Sequence, residues 1–184
     1  LHFSFDSSIF TLTEIPIAIM VLLILSFMVK VKNNKKAFAY YHYILFGGIL
    51  TVGLSTYLFQ SGSLSPFLWM MISGFGMYIC YIPFNGIYFD RMIAAFDIKG
   101  NVGFLIYTVD SFGYLGSVLI LLYKNFGSAQ TSWLNFYIHL NYIITAAVLI
   151  LSVTAFLAFK KKAKPNSNSN QFINFDPSKF YKLK

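Results

Sequence analysis

The sequence predicts an all-α fold, a polytopic membrane helix bundle of about five transmembrane helices. Hydrophobic residues make up 57% of the 184 residues and charged residues only 11%, whereas an ordinary soluble domain is about one-quarter charged. We count five apolar stretches, and each approaches or meets the roughly 20 residues that a helix needs to cross the hydrocarbon layer. Clusters of lysine follow the first and last stretches directly, as they do at the cytoplasmic ends of membrane spans.

The expected elements follow the chain in order. The first span is predicted over residues 13–29, with Thr13 as its N-cap and Pro16 in its first turn, where proline is tolerated. The other spans are predicted over residues 41–59, 66–88, 102–123 and 134–159. Residues 1–12 are expected to form an external loop or the end of a lost helix. The transmembrane domain would thus occupy residues 13–163, and the asparagine- and serine-rich residues 164–184 would form a flexible cytoplasmic tail.

The basic residues predict the orientation, because short loops rich in lysine and arginine stay in the cytoplasm. Four lysines lie within residues 30–36, Arg91 and Lys99 follow the third span, and seven more lysines occur from Lys160 onward. Only Lys124 falls on the other side. We therefore expect an external N-terminus and a cytoplasmic C-terminus. Topology explains the net charge of +8, and nucleic acid is not an expected partner.

The fourth span contains a polar stripe that predicts the wall of a cavity. Its central residue is Asp110, and an aspartate near the middle of a span costs about 2.5–3.5 kcal/mol on insertion scales, so it usually faces a cavity or a partner. The stripe, at helical intervals of three and four, comprises Tyr107, Asp110, Tyr114 and Ser117. Gly113 and Gly116 would let a neighbouring helix approach. The alternative is an aspartate that hydrogen-bonds to tyrosines for helix packing alone.

A second candidate site surrounds Pro83 in the third span. Proline lacks a backbone donor, so a bend or break is expected near residues 79–83, with Gly86 as a further hinge residue. The side chains predicted to share one face and contact substrate are Tyr78, Tyr81, Asn85 and Tyr88. Asp90 and Arg91 would lie at the cytoplasmic boundary and latch an inner gate. The alternatives are a static kink and, for Arg91, a simple interfacial anchor.

The other spans indicate packing rather than chemistry. The second span is dense in small residues, which favour close helix contact, namely Gly47, Gly48, Thr51, Gly53, Ser55 and Thr56. In the fifth span His139 shares a face with Asn135 and Tyr142, but no second histidine lies at metal-ligand spacing. The single cysteine, Cys80, excludes a disulfide framework. No nucleotide-binding, nucleophile-elbow or zinc-protease motif occurs, so we expect no enzyme, cofactor or metal site.

Three runs of sequence resemble a known family: YIPFNGIYFDR at 81–91, KGNVGFLIY at 99–107 and DSFGYLGS at 110–117. They are similar to the C-terminal half of an uncharacterised bacterial family of major-facilitator-like membrane proteins. The resemblance implies a parent of about twelve spans in two halves, of which this chain would hold the last five. It also implies the bacterial inner membrane. The loop at residues 30–36 lacks the glycine-aspartate-arginine motif that many major-facilitator proteins have there.

These observations predict a fragment of a secondary active transporter that moves a small polar solute by alternating access. Asp110 would carry protons or pair with a cationic group. The expected partners are the lipid bilayer, the missing N-terminal half of the same polypeptide and the solute. The main alternative is a non-transporting membrane scaffold or accessory subunit. A membrane-embedded enzyme acting on lipid would need a second ionisable group facing Asp110 from another helix.

Overall fold

The computed structural model describes residues 7–127 and 130–163, and every regular element in them is helical. The α-helices are α1 (Ser7–Val29), α2 (Asn34–Gln60), α3 (Pro66–Pro83), α4 (Phe89–Phe96), α5 (Val102–Leu122) and α6 (Trp133–Ala163). Two π-helical segments, π1 (Phe84–Tyr88) and π2 (Tyr123–Gly127), follow α3 and α5. The predicted all-α fold class is confirmed.

Four stretches of the described chain are long and apolar enough to cross a membrane: Asn34–Gln60, Pro66–Phe96, Val102–Gly127 and Trp133–Lys161. A shorter apolar helix occupies Thr13–Val29. Their outer faces carry many large apolar side chains at more than half of their full exposure, which is unfavourable in water and favourable against lipid. The chain therefore has the features of an integral membrane protein.

The first helix begins earlier than the sequence predicts. α1 starts at Ser7 instead of Thr13, and Pro16 lies inside the helix instead of in its first turn. Membrane helices tolerate such a proline because neighbouring helices and local adjustments compensate for the lost hydrogen bond. One side of α1 is buried toward α3 by residues at intervals of four and three, namely Ile17, Val21, Leu25 and Met28.

Asparagine and serine side chains set the starts of three helices. Asn33 accepts a hydrogen bond from the Lys36 amide at 3.0 Å, and Ser65 accepts one from the Leu68 amide at 3.3 Å. Asn101 accepts from the Gly103 amide at 2.8 Å. These side chains satisfy amides that have no partner within the first turn of a helix, so α2, α3 and α5 begin directly after them.

The centre of the bundle is the crossing of α2 and α3. A Cβ atom on Gly76 would lie 2.6 Å from the Gly48 carbonyl oxygen, and one on Gly48 would lie 2.6 Å from Ile79 Cγ2. The two backbones are therefore close enough that only glycine fits on either side. This contact confirms the prediction that small residues of the second span serve packing, and it also involves Gly76, which the sequence analysis did not include.

The third span differs from its predicted form. The helix does not break near residues 79–83, because α3 remains α-helical through Pro83 and only then changes to π geometry at Phe84–Tyr88. α4 then continues to Phe96, where Asp97 ends it in a left-handed conformation with φ of 50°. A π-helical turn takes up one extra residue, so it changes the direction of side chains without interrupting the helix.

Candidate functional site

The structure brings together residues from the two candidate sites. A cavity of about 400 Å³ between α3 and α5 is lined by Tyr81, Val109, Asp110, Gly113, Tyr114 and Ser117. Tyr81 belongs to the predicted tyrosine face of the third span, whereas Asp110, Tyr114 and Ser117 belong to the predicted stripe of the fourth. We call this space the Asp110 cavity.

Asp110 lies half-buried in the Asp110 cavity, nine residues from the Asn101 cap of α5. Within residues 7–127 and 130–163, no side chain hydrogen-bonds to its carboxylate or forms an ion pair with it. Tyr107 and Tyr114 are 76% and 74% exposed, and neither hydroxyl contacts the aspartate. The tyrosine–aspartate hydrogen bonds that the packing alternative requires are therefore not formed between the described residues.

The predicted tyrosine face of the third span is divided by the π turn. Tyr78, Tyr81 and Asn85 are exposed, but Tyr88 is only 8% exposed and packs into the core. Its ring lies 5.1 Å from that of Phe38 and 4.4 Å from that of Phe84. Tyr88 and Tyr81 nevertheless line a common cavity between α2, α3 and α6. Of this predicted set, the Asp110 cavity includes only Tyr81.

The predicted hinge and gate residues cluster at π1 and α4. Pro83, the last residue of α3, is buried directly before π1, while a Cβ atom on Gly86 would meet nothing within 4 Å. Arg91 does not pair with Asp90, because adjacent helical residues point in different directions. Its Nη1 donates instead to Asn34 Oδ1 at 2.6 Å, which joins α4 to the first residue of α2. Asp90 is exposed.

A second cavity of about 420 Å³ lies between α2, α3 and α6, and Tyr81 lines it as well. Its other polar side chains include His42 and Ser152, which the sequence analysis did not propose as site residues. His42 is 3% exposed, and its Nδ1 lies 3.0 Å from the Phe38 carbonyl oxygen. Tyr81 thus separates a space that holds a carboxylate from a space that holds an imidazole.

Comparison with known families places this architecture in one of them. Residues 1–162 match DUF5690, a family of unknown function. The chain belongs to the DUF5690 family. No curated protein and no solved structure matches it. The expectation of an uncharacterised family is confirmed, whereas the resemblance to major-facilitator proteins stays a prediction.

The DUF5690 chain also contains a buried polar cluster that the sequence analysis missed. Thr56 Oγ1 accepts hydrogen bonds from Trp69 Nε1 and Asn141 Nδ2, both at 3.2 Å, and donates to the Val52 carbonyl at 2.8 Å. Thr56 and Asn141 are fully buried, so one hydroxyl joins α2, α3 and α6. The available signal was Asn141 itself, because an amide in the middle of an apolar span needs a partner from another helix.

The C-terminal end of α5 approaches α6 through Lys124. This lysine, predicted to lie on the external side, is 3% exposed in π2. Its Nζ lies 4.8 Å from the Trp133 ring centre and 5.8 Å from that of Phe136, in cation–π geometry. Beside it, an apolar cavity of about 540 Å³ separates the two helices and includes His139. His139 Nδ1 lies 2.6 Å from its own helix, at the Asn135 carbonyl.

Proposed function

We propose that this DUF5690 chain is part of a secondary active transporter and that the Asp110 cavity is a segment of its pathway for a small polar solute. The observation that carries the proposal is the Asp110 carboxylate, which faces the cavity from an apolar helix without a partner among the described residues. An ionisable group inside a membrane span usually takes part in the transport of an ion, a proton or a substrate. Such a group raises the free energy of membrane insertion, so it is rare where it has no function.

The cavity residues supply the chemistry that a small polar solute needs. Tyr81, Tyr114 and Ser117 present hydroxyl groups that donate and accept hydrogen bonds, and Asp110 presents an anionic acceptor. A volume of about 400 Å³ lies within the range of small-ligand sites, roughly 300–1,000 Å³. In this proposal Asp110 either carries the coupling proton or pairs with a cationic group of the solute.

The movement that alternating access requires is assigned to π1. A π turn changes the hydrogen-bond spacing inside an α-helix, and π turns occur frequently at functional sites. Pro83 and Gly86 flank the point at which the lower part of the span would tilt. Arg91, held by Asn34 at 2.6 Å, would keep α4 attached to α2, and the exposed Asp90 would contact the opposing half when the inner gate closes.

The opposing half is proposed to be a second set of spans from the same polypeptide. α5 has no buried residue in the described chain, and a Cβ atom on Gly113 or Gly116 would meet nothing within 4 Å. Packing of an N-terminal half against α5 would enclose the Asp110 cavity. This arrangement follows the two-halved plan of major-facilitator transporters in a bacterial inner membrane, with a cytoplasmic C-terminus.

Cysteine accessibility tests the pathway without knowledge of the solute. In the full-length protein with Cys80 replaced by alanine, single cysteines are placed at Asp110, Tyr114 and Ser117. Phe112 and Leu115, on the opposite face of α5, serve as matched controls. In membrane vesicles, a charged methanethiosulfonate reagent should modify the stripe cysteines faster, because it reaches only thiols in contact with water. Equal rates at all five positions would contradict a water-filled pathway and favour the scaffold alternative.

Substitution of Asp110 tests the solute site. Small polar solutes are screened for their effect on the melting temperature of the purified full-length protein, and any stabilising solute is then tested on Asp110→Asn. Loss of the stabilisation, together with loss of uptake in proteoliposomes, is expected because the amide keeps the shape but removes the charge. The same substitution at the exposed Asp90 should leave solute binding intact. Unchanged binding and unchanged pH dependence of uptake in Asp110→Asn would refute the assigned role.

A further inference from the structure

The lysine-rich ends of α2 and α6 form a groove that none of the sites above includes. Its volume is about 250 Å³, and its lining residues are Lys35, Phe38, Ala39, Tyr43, Phe96, Phe156, Phe159 and Lys160. Lys35 lies in the first turn of α2 and Lys160 in the last turns of α6, so two lysines far apart in the sequence line one groove. We call this site the Lys35–Lys160 groove.

The rest of the groove is apolar and firmly packed. The Phe38 ring lies 4.9 Å from the Phe159 ring, and the Phe159 ring lies 5.0 Å from the Phe96 ring. Tyr43 and Phe156, with ring centres 5.7 Å apart, continue this wall one to two turns further from the lysines. The groove therefore has a cationic end at the membrane boundary and an aromatic wall that extends along the spans.

The charge at this end is uncompensated within the groove. None of its lining residues is acidic. Asp97, which follows Phe96 directly, is exposed and forms no ion pair with any described residue. The neighbouring Lys36 and Lys161 are also exposed and add positive charge around the site. An anion at the cationic end would therefore be attracted by several lysines, and no lining carboxylate would repel it.

We propose that the Lys35–Lys160 groove binds an anionic phospholipid. The phosphate would lie between the two ammonium groups, and one acyl chain would follow Tyr43 and Phe156 along the groove. The amphipathic ligand matches the groove at both ends, whereas a free phosphate or sugar phosphate would use the lysines and leave the aromatic wall exposed. The site lies where α2 and α6 enter the predicted cytoplasmic leaflet, which is the leaflet rich in anionic lipid. The proposal does not depend on transport.

Native mass spectrometry of the full-length protein tests the headgroup contact. Phosphatidylglycerol and phosphatidylcholine with the same acyl chains are titrated against the wild type, Lys35→Gln/Lys160→Gln and the control Lys36→Gln/Lys161→Gln. Both double variants remove the same charge, but only the first removes it from the groove. Phosphatidylglycerol should bind the groove variant about tenfold more weakly, because each nearby lysine contributes to anionic-lipid binding. Phosphatidylcholine binding should be equal in all three proteins.

A second variant tests the acyl-chain contact. Ala39→Phe adds a ring to the groove wall and leaves both lysines in place. It should weaken phosphatidylglycerol binding, while the weak binding of glycerol 3-phosphate, which has the phosphate but no chain, should stay unchanged. Equal losses in the two lysine variants would overturn the proposal in favour of diffuse surface attraction. Full phosphatidylglycerol binding by Ala39→Phe would overturn it in favour of a site for free phosphate. All the substituted lysines are exposed, so their variants are expected to fold.

Discussion

The contact between α2 and α3 and the free surface of α5 have similar sequences and opposite surroundings. Both place glycines and hydroxyl side chains among apolar residues. At the α2–α3 contact, a Cβ atom on Gly76 would lie 2.6 Å from the Gly48 carbonyl oxygen. On α5, a Cβ atom on Gly113 or Gly116 would meet nothing within 4 Å. Small residues at helical spacing thus show that a neighbour is able to approach closely. They do not show whether that neighbour belongs to the described chain.

The polar groups of the two regions differ in the same way. Thr56 is enclosed and connects Trp69 to Asn141 through two hydrogen bonds of 3.2 Å. Asp110 faces a cavity, and no described residue bonds to it. A buried polar group with partners from several helices stabilises a fold, while a charged group kept without a partner is typical of a binding or transport site. This difference supports a structural role for Thr56 and a functional role for Asp110.

Gly76→Ala should have the largest effect on stability. The new methyl group would collide with backbone at Gly48, which cannot rotate away as a side chain would, so α2 and α3 must separate. We expect a loss of about 3 kcal/mol, at the upper end for overpacked cores. Thermal unfolding of the purified protein in detergent measures it. A melting temperature equal to that of the wild type would show that the two helices are not in contact.

Thr56→Val should have an intermediate effect. The change keeps the shape of the side chain and removes the hydroxyl oxygen that accepts hydrogen bonds from Trp69 Nε1 and Asn141 Nδ2. Two buried N–H donors then lack this acceptor. We expect a loss of about 2 kcal/mol, since an unsatisfied buried polar group costs roughly 1–3 kcal/mol.

The matched control for this substitution is Thr108→Val on α5. Among the described residues, the Thr108 hydroxyl donates only to the carbonyl of Phe104 on its own helix. Its loss should change the melting temperature little. If the two threonine variants unfold at the same temperature, the α2–α3–α6 cluster does not stabilise the bundle.

Gly113→Ala should have the smallest effect, and it reveals whether α5 has a neighbour in the full-length protein. If the surface of α5 is free, alanine should stabilise the helix by about 0.5–1 kcal/mol, because glycine is a poor helix former. A clear loss of stability in the full-length protein would instead show that another helix packs against this glycine, as the proposed N-terminal half would. Thermal unfolding of the purified full-length protein in detergent measures this effect.

The region around Pro83 was predicted only in part from the sequence. The proline correctly indicated irregular geometry in the third span, but the irregularity is a π turn after the proline and not a break before it. A bend or break at the proline was expected from the sequence, whereas a π turn, which is rare and occurs mostly as a single turn inside an α-helix, was not considered. Tyr88, predicted to share a face with Tyr81, is buried, and both residues line the cavity between α2, α3 and α6.

The sequence by itself determined the fold class and the candidate stripe around Asp110. These depend on composition and on the 3.6-residue period, both of which are local. The one predicted cap, Thr13, was wrong, because α1 begins at Ser7.

The tertiary structure decided that Tyr81 and Asp110 line one cavity, that Thr56 joins three helices and that Lys35 and Lys160 line one groove. These arrangements link residues far apart in the chain, and their geometry depends on how closely the helix backbones approach, which local sequence does not specify.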